Sequence, residues 1–162
     1  MMLATTADGK IAKNDNHFPD WTSKEDKQYF KEITKESGVI MMGDKTFATL
    51  PGALPGRLNV IFTQELNKPE IENVKWVSGE LEPVLHELET MGYKSAILGG
   101  GAFLNSLFLE KKLISELIIT IEPKIFGAGL SLFSKDAAID MELLECKNLN
   151  KNTIALRYKI NY

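Results

Sequence analysis

Two short apolar runs, each stopped by glycine and followed by a helix-forming stretch, constrain this chain most. Val39-Ile40-Met41-Met42 runs into Gly43, and Ser95 to Leu98 runs into Gly99-Gly100-Gly101. A strand with apolar residues at consecutive positions buries both faces, which points to a parallel sheet covered by helices on both sides. The rest of the chain keeps that rhythm. Leu3 to Thr6 reads as a first strand entering a turn at Ala7-Asp8-Gly9-Lys10, and residues 12–20 read as a polar loop. Thr22 or Ser23 caps a helix that runs to about Glu36 and stops at Gly38, with Thr22-x-x-Glu25 fitting a capping box. A short helix follows from Asp44 to Leu50, then strands at Leu58 to Thr63 and Lys75 to Val77. Leu81, Val84, Leu85, Leu88 and Met91 share one face of a further helix, and Phe103 to Leu109 forms another. Ile114 to Ile121 is a long apolar strand, and Met141 to Cys146 with Thr153 to Ile160 reads as a terminal antiparallel pair. The expected fold is α/β in a single domain over residues 1–162. It has a central, mostly parallel mixed sheet, an antiparallel C-terminal edge and about four flanking helices.

Composition narrows the function classes. With 44% hydrophobic and 25% charged residues the chain is an ordinary globular domain. A net charge of −3 provides no field to recruit nucleic acid or an anionic membrane. A small-molecule partner is expected instead. One cysteine, Cys146, excludes a disulfide within the chain and reads as a buried or half-buried structural thiol. His17 and His86 are far apart, and no Cys/His cluster has metal-ligand spacing, so no metal is expected. The opening Met1-Met2-Leu3-Ala4-Thr5-Thr6 lacks the pattern of a signal peptide, and no apolar run is long enough to span a membrane. A cytoplasmic protein is expected, as a monomer or a homodimer.

Four features are candidates for chemistry. Asp26, Tyr29, Phe30 and Ile33 fall at i, i+3, i+4 and i+7, so an apolar helical stripe begins with a carboxylate. Such a group faces solvent or a polar partner in a cleft. An acid in a helix's first turn is equally what the macrodipole favours. Gly99-Gly100-Gly101 and Gly43-Asp44-Lys45-Thr46 both lie where a strand meets a helix start. Glycine there admits a ligand to the backbone, and the helix start offers free N–H groups to phosphate. Neither matches the G-x-G-x-x-G fingerprint, and a plain turn fits each one alone. The two together suggest a dinucleotide laid across the carboxyl ends of the strands. Arg57, after Pro55-Gly56, is placed either to clamp a carboxylate or to sit solvated in a loop.

In this order and spacing, the pieces resemble dihydrofolate reductase. Asp8-Gly9-Lys10-Ile11 resembles the end of that family's first strand. Trp21, Asp26 and Phe30 keep its substrate-helix spacing. Val39 to Gly43 with Thr46 is similar to the strand and helix start that receive the cofactor, Leu54-Pro55-Gly56-Arg57 with Asn59 to the loop holding the folate carboxylate, and Ile97 to Gly101 to the glycine turn under the pyrophosphate. The resemblance covers about the first two thirds of the chain. It implies NADPH-dependent reduction of 7,8-dihydrofolate to tetrahydrofolate, with NADH left open as cofactor. Asp26 is the implied catalytic residue, holding the pterin and assisting protonation at N5. Ala4, Asp26, Phe30, Leu50, Leu54, Arg57 and Thr120 are implied in substrate binding, with Thr120 linked to Asp26. Ile11, Ala12, Gly43, Asp44, Lys45, Thr46, Thr63, Gln64, Leu98, Gly99, Gly100, Gly101, Ala102 and Phe103 are implied in cofactor binding.

The sequence also departs from that pattern. Asp44 stands where the family usually has a basic residue near the cofactor's 2′-phosphate, Gln64 where a small hydroxyl is common, and Phe103 where Tyr is frequent. Pro123 to Gly129 and Leu132-Phe133 look more like the sister pyrimidine reductase domain of riboflavin synthesis. That likeness implies, as alternatives, reduction of a phosphoribosylamino-pyrimidine or a nucleotide-binding module without turnover. Asp26 and the Pro-Gly-Arg loop favour folate.

Overall fold

Both faces of the Val39–Met42 run are covered. The computed structural model describes residues 1–65 and 67–162. The chain runs β1 (Met2–Thr6), β2 (Lys10–Ala12), a 3-10 turn (Pro19–Trp21), α1 (Lys24–Ser37), β3 (Val39–Gly43), α2 (Asp44–Ala48), β4 (Leu58–Phe62) and β5 (Val74–Val77). It continues through α3 (Leu81–Thr90), β6 (Ile97–Leu98), α4 (Ala102–Glu110), β7 (Glu116–Glu122), β8 (Leu130–Ser131), β9 (Asp140–Asn148) and β10 (Ile154–Asn161). One four-stranded sheet is parallel throughout, in the order β5-β4-β3-β6. A second four-stranded sheet is β1-β7-β10-β9, with β1 parallel to β7 and the rest antiparallel, so the single central sheet expected from sequence is two adjoining ones. The two sheets meet at β6 and β1: Ile97 packs into the same cluster as Met2, and Gly100 lies against the Leu3 side chain.

Alternate residues of β3 and β4 go to opposite layers. Val39, Met41 and Val60 pack with Leu81, Leu88, Leu104 and Phe108 of α3 and α4. Ile40, Met42 and Ile61 pack on the other face with Phe30 of α1, Phe47 of α2 and Leu50 just beyond it. These strand residues are 3% exposed or less. Each fully buried side chain of this kind contributes about 1.5–3 kcal/mol, so the central strands hold all four helices to the sheet.

Several expectations are corrected. The strand expected from Ser95 spans only Ile97–Leu98, because Ser95 is exposed. Residues read as loop supply a small antiparallel ribbon of β2 and β8, too short for a visible period. Cys146 is exposed rather than buried, since every residue of β9 is exposed at the sheet's edge. The Thr22–Glu25 capping box does not form; Ser23 is the cap, its Oγ accepting from the Asp26 N–H at 3.2 Å.

That cap ties α1 to the sheet. Glu122 at the end of β7 is 2% exposed and has its oxygens filled. Its Oε1 accepts from the Ser23 N–H (2.9 Å) and hydroxyl (2.8 Å), and its Oε2 accepts from the Thr153 hydroxyl (3.2 Å). Gly38, at φ 75°, ends the helix in the left-handed conformation. We predict that Ser23→Ala lowers stability by about 1–2 kcal/mol, a fall of roughly 2–8 °C in Tm by circular dichroism. An unchanged Tm would show that the cap does not anchor α1.

Candidate active site

The sheet topology brings the two strand–glycine–helix junctions together. The Gly43 N–H donates to the Gly100 carbonyl (2.9 Å), and the Gly99 N–H to the Met41 carbonyl (2.8 Å). A Cβ on Gly101 would press on Thr46 Oγ1 at 3.1 Å, whereas one on Gly43 would meet nothing within 4 Å. Gly101 begins α4 without a side-chain cap, which leaves first-turn N–H groups available to an anion. Both junctions open on one cavity of about 1580 Å³. Single-ligand sites usually hold about 300–1,000 Å³, so this cavity has room for a substrate and a dinucleotide together. A glycine turn with open space at Gly43 and an uncapped helix start fits a pyrophosphate.

Of the residues singled out from sequence, Ala4, Ile11, Ala12, Asp26, Phe30, Gly43, Asp44, Lys45, Thr46, Leu50, Leu54, Arg57, Thr63, Gln64, Gly99, Gly101, Ala102 and Phe103 line this cavity. Leu98, Gly100 and Thr120 do not. Leu98 belongs to the core behind the site, and the Gly100 carbonyl is turned to β3. Trp21, Thr22, Lys31 and Ser78 also line the cavity, although no chemistry in the sequence pointed to them as site residues.

Among the described residues, two buried charged side chains line the cavity: Asp26 on α1, and Arg57, which precedes β4 and reaches α1 at Thr34. Asp26 is 6% exposed. Burial pushes its carboxyl above the usual carboxylate range, partly opposed by the hydroxyls of Thr22 and Thr120, while Glu122 nearby pushes it further up. Thr120 sits on β7 opposite Ala4 of β1. Its Oγ1 is buried with no other partner among the described residues, and its hydroxyl acts on the Asp26 carboxyl. Both readings of Asp26 hold at once. It is a first-turn helix acid, and it is also withdrawn into the cavity.

Arg57, also 6% exposed, lies at the far end. Its Nε and Nη2 donate to the Pro55 carbonyl (3.3 and 3.1 Å), and its Nη1 donates to Thr34 Oγ1. Burial lowers its pKa from the usual value. A guanidinium has five N–H donors, so two remain, enough for a bidentate carboxylate. Asp26, Phe30 and Thr34 fall at i, i+4 and i+8, which sets the acid and the Arg57 contact about 12 Å apart along the helix. Phe30, Leu50 and Leu54 form one apolar cluster in the stretch between.

The raised pKa of Asp26 has a consequence for stability. The folded chain holds that proton more tightly than the unfolded chain does. Stability therefore declines as pH rises from the ordinary Asp value, about 3.9, through the raised one. Asp26→Asn lacks this decline. Its Tm should exceed that of the wild type at pH 7 by a few degrees, about 2–4 °C per kcal/mol, and the gap should close near pH 3. A lower Tm for the variant at pH 7 would contradict the burial argument.

Comparison with known proteins bears on this geometry. Residues 1–130 match the dihydrofolate reductase family. Dihydrofolate reductase type 9 of Escherichia coli is 32% identical over 123 residues, which is 68% of either chain. The fold is similar to that of dihydrofolate reductase from Enterococcus faecalis complexed with NADP(H) and RAB-propyl, with a TM-score of 0.79 at 19% identity, covering 99% of this chain and 95% of that one. It is equally similar to RibD of Acinetobacter baumannii, with a TM-score of 0.82 at 19% identity, covering 99% of this chain and 57% of that longer one. Among the described residues no helix is long and apolar enough to cross a membrane, and no group of three His, Cys, Asp or Glu is placed to hold a metal ion. With the family match spanning both glycine junctions, Asp26 and Arg57, the chain belongs to the dihydrofolate reductase family.

Proposed function

We propose that this chain, as one domain in the cytoplasm, reduces 7,8-dihydrofolate to tetrahydrofolate with NADPH. The observation that carries the reading is the pair of buried charges along α1. Asp26 lies on the helix, and Arg57, without a carboxylate partner among the described residues, meets it at Thr34, about 12 Å further along, with apolar side chains between. Dihydrofolate has the matching polarity: an amino-pterin at one end, an aromatic spacer, and a glutamate carboxylate at the other.

Asp26 accepts hydrogen bonds from the pterin's amino and ring N–H groups. The Thr120 hydroxyl lies beside that contact and orients it. Phe30, Leu50 and Leu54 pack on the spacer and exclude water, and the two free donors of Arg57 hold the tail carboxylate. The glycine junctions would seat NADPH, which when bound would supply hydride for the carbon next to N5. N5 takes a proton, so the C=N bond gains two electrons and two hydrogens in all. Burial raises the carboxyl's pKa, and as an ionised acceptor Asp26 holds the pterin so that its N5 can be protonated.

The sister pyrimidine substrate carries a ribose phosphate in place of the spacer and carboxylate. The planar fork of Arg57 suits a carboxylate, and the apolar wall suits an aromatic spacer rather than a sugar.

Asp26→Asn should lower kcat for dihydrofolate at pH 7 by about 10²-fold or more. The loss should shrink in acid, where solvent protons reach N5 without the carboxyl. Undiminished turnover at pH 7 would refute the role. Arg57→Ala should raise KM for dihydrofolate by about tenfold or more and leave a dihydropterin without the tail nearly unaffected. An equal loss for both substrates, or turnover of the aminouracil ribose phosphate by the wild type, would contradict the reading.

A further inference from the structure

The sheet order sets the direction in which a dinucleotide crosses the site. Asp26 stands by β7, which pairs with β1; β6 of the parallel sheet packs against β1, and that sheet then runs β6, β3, β4, β5. The hydride-bearing ring must reach the substrate beside Asp26, and the pyrophosphate falls at the glycine turn after β6. Neighbouring strands are about 5 Å apart, so the adenosine half lies over the ends of β4 and β5. There the cavity is lined by Thr63, Gln64 and Ser78, with Asp44 beside them at the start of α2.

Among the described residues, three lysines near this end each have a carboxylate partner. Lys45 pairs with Asp15 (3.2 Å), Lys68 with Glu65 (2.7 Å) and Lys111 with Glu80 (3.3 Å). Asp44 has no cation partner among the described residues. Its Oδ2 accepts the Thr63 hydroxyl (2.7 Å), and its Oδ1 accepts the Lys45 backbone N–H (2.7 Å). Thr63 Oγ1 accepts from the Glu65 N–H (3.1 Å). The single proton of Thr63 is thus directed at Asp44, and the hydroxyl has no donor left for a phosphate oxygen.

NADPH differs from NADH by one phosphate on the adenine ribose. That phosphate would be carried to a carboxylate without a cation, beside a hydroxyl with no free donor. A ribose hydroxyl meets the opposite situation, because each Asp44 oxygen keeps a lone pair to accept it. An acid here selects the free ribose hydroxyl, as an acid does in other dinucleotide sites. We propose that Asp44 is a specificity-determining residue and that this chain binds NADH at least as tightly as NADPH. The proposal rests on the cofactor reading above, not on the identity of the substrate.

The test is titration calorimetry of the wild type, without folate, against NADH and NADPH, with 5′-ADP and 2′,5′-ADP as probes of the adenosine end alone. Kd for NADH at or below that for NADPH, and 5′-ADP binding at least as tightly as 2′,5′-ADP, are expected. NADPH binding tighter than NADH, or no binding of either dinucleotide, would overturn the proposal. Asp44→Arg should shift the ratio at least tenfold towards NADPH, and the milder Asp44→Asn should shift it the same way. An unchanged ratio in the folded Asn variant would equally overturn it. Should neither dinucleotide support dihydrofolate reduction while the binding ratio stands, the substrate reading fails and the assignment of Asp44 survives.

Discussion

The site depends on a carboxylate withdrawn from water with no salt-bridge partner among the described residues. Asp26 is tolerable in that position for three reasons. It lies in the first turn of a helix, where exposed amides favour negative charge. Two hydroxyls, Thr22 and Thr120, approach it. The helix is also fixed at that turn from outside, through Ser23 and the filled Glu122. Remove the fixing and the carboxyl can swing to solvent; remove the burial and its pKa relaxes towards an ordinary acid. The anchor on β7 and the chemistry at Asp26 are therefore one arrangement.

The same economy of elements governs the rest of the cavity. β3 and β4 send alternate side chains to two cores, so their carboxyl ends are rigid and their last residues open on the cleft. Gly43 and the turn after β6 are bonded to each other, which makes the two junctions one cradle rather than two turns. α1 then lies across the mouth with its acid at one end and the Arg57 contact eight residues on, near Thr34. A substrate is read along that helix, and a dinucleotide is read across the strands.

Much of this was legible in the sequence because it rests on local patterns. The runs before Gly43 and Gly99 announced two-sided strands, and Asp26 on an apolar stripe raised the question of a cleft acid without deciding it against a first-turn one. Leu98, Gly100 and Thr120 lie outside the cavity lining, because a strand's register decides which side chains reach a cleft and spacing does not show register. Glu122 was missed for a related reason. It ends an apolar strand as any solvent-facing acid might, and only the fold brings Ser23 and Thr153 to its oxygens. Burial of Cys146 was expected from residue type, but an edge strand exposed along its whole length overrides that preference.

The central claim concerns the ionisation of one side chain, and carbon-13 resonance of γ-labelled aspartate reads it directly, with Asp26→Asn supplying the assignment. In the free protein the Asp26 resonance should titrate above the ordinary carboxylate range. With folate bound it should shift and stay ionised through that range, because the pterin's donors stabilise the charged form. A resonance that titrates like an exposed aspartate and does not respond to saturating folate would contradict the account.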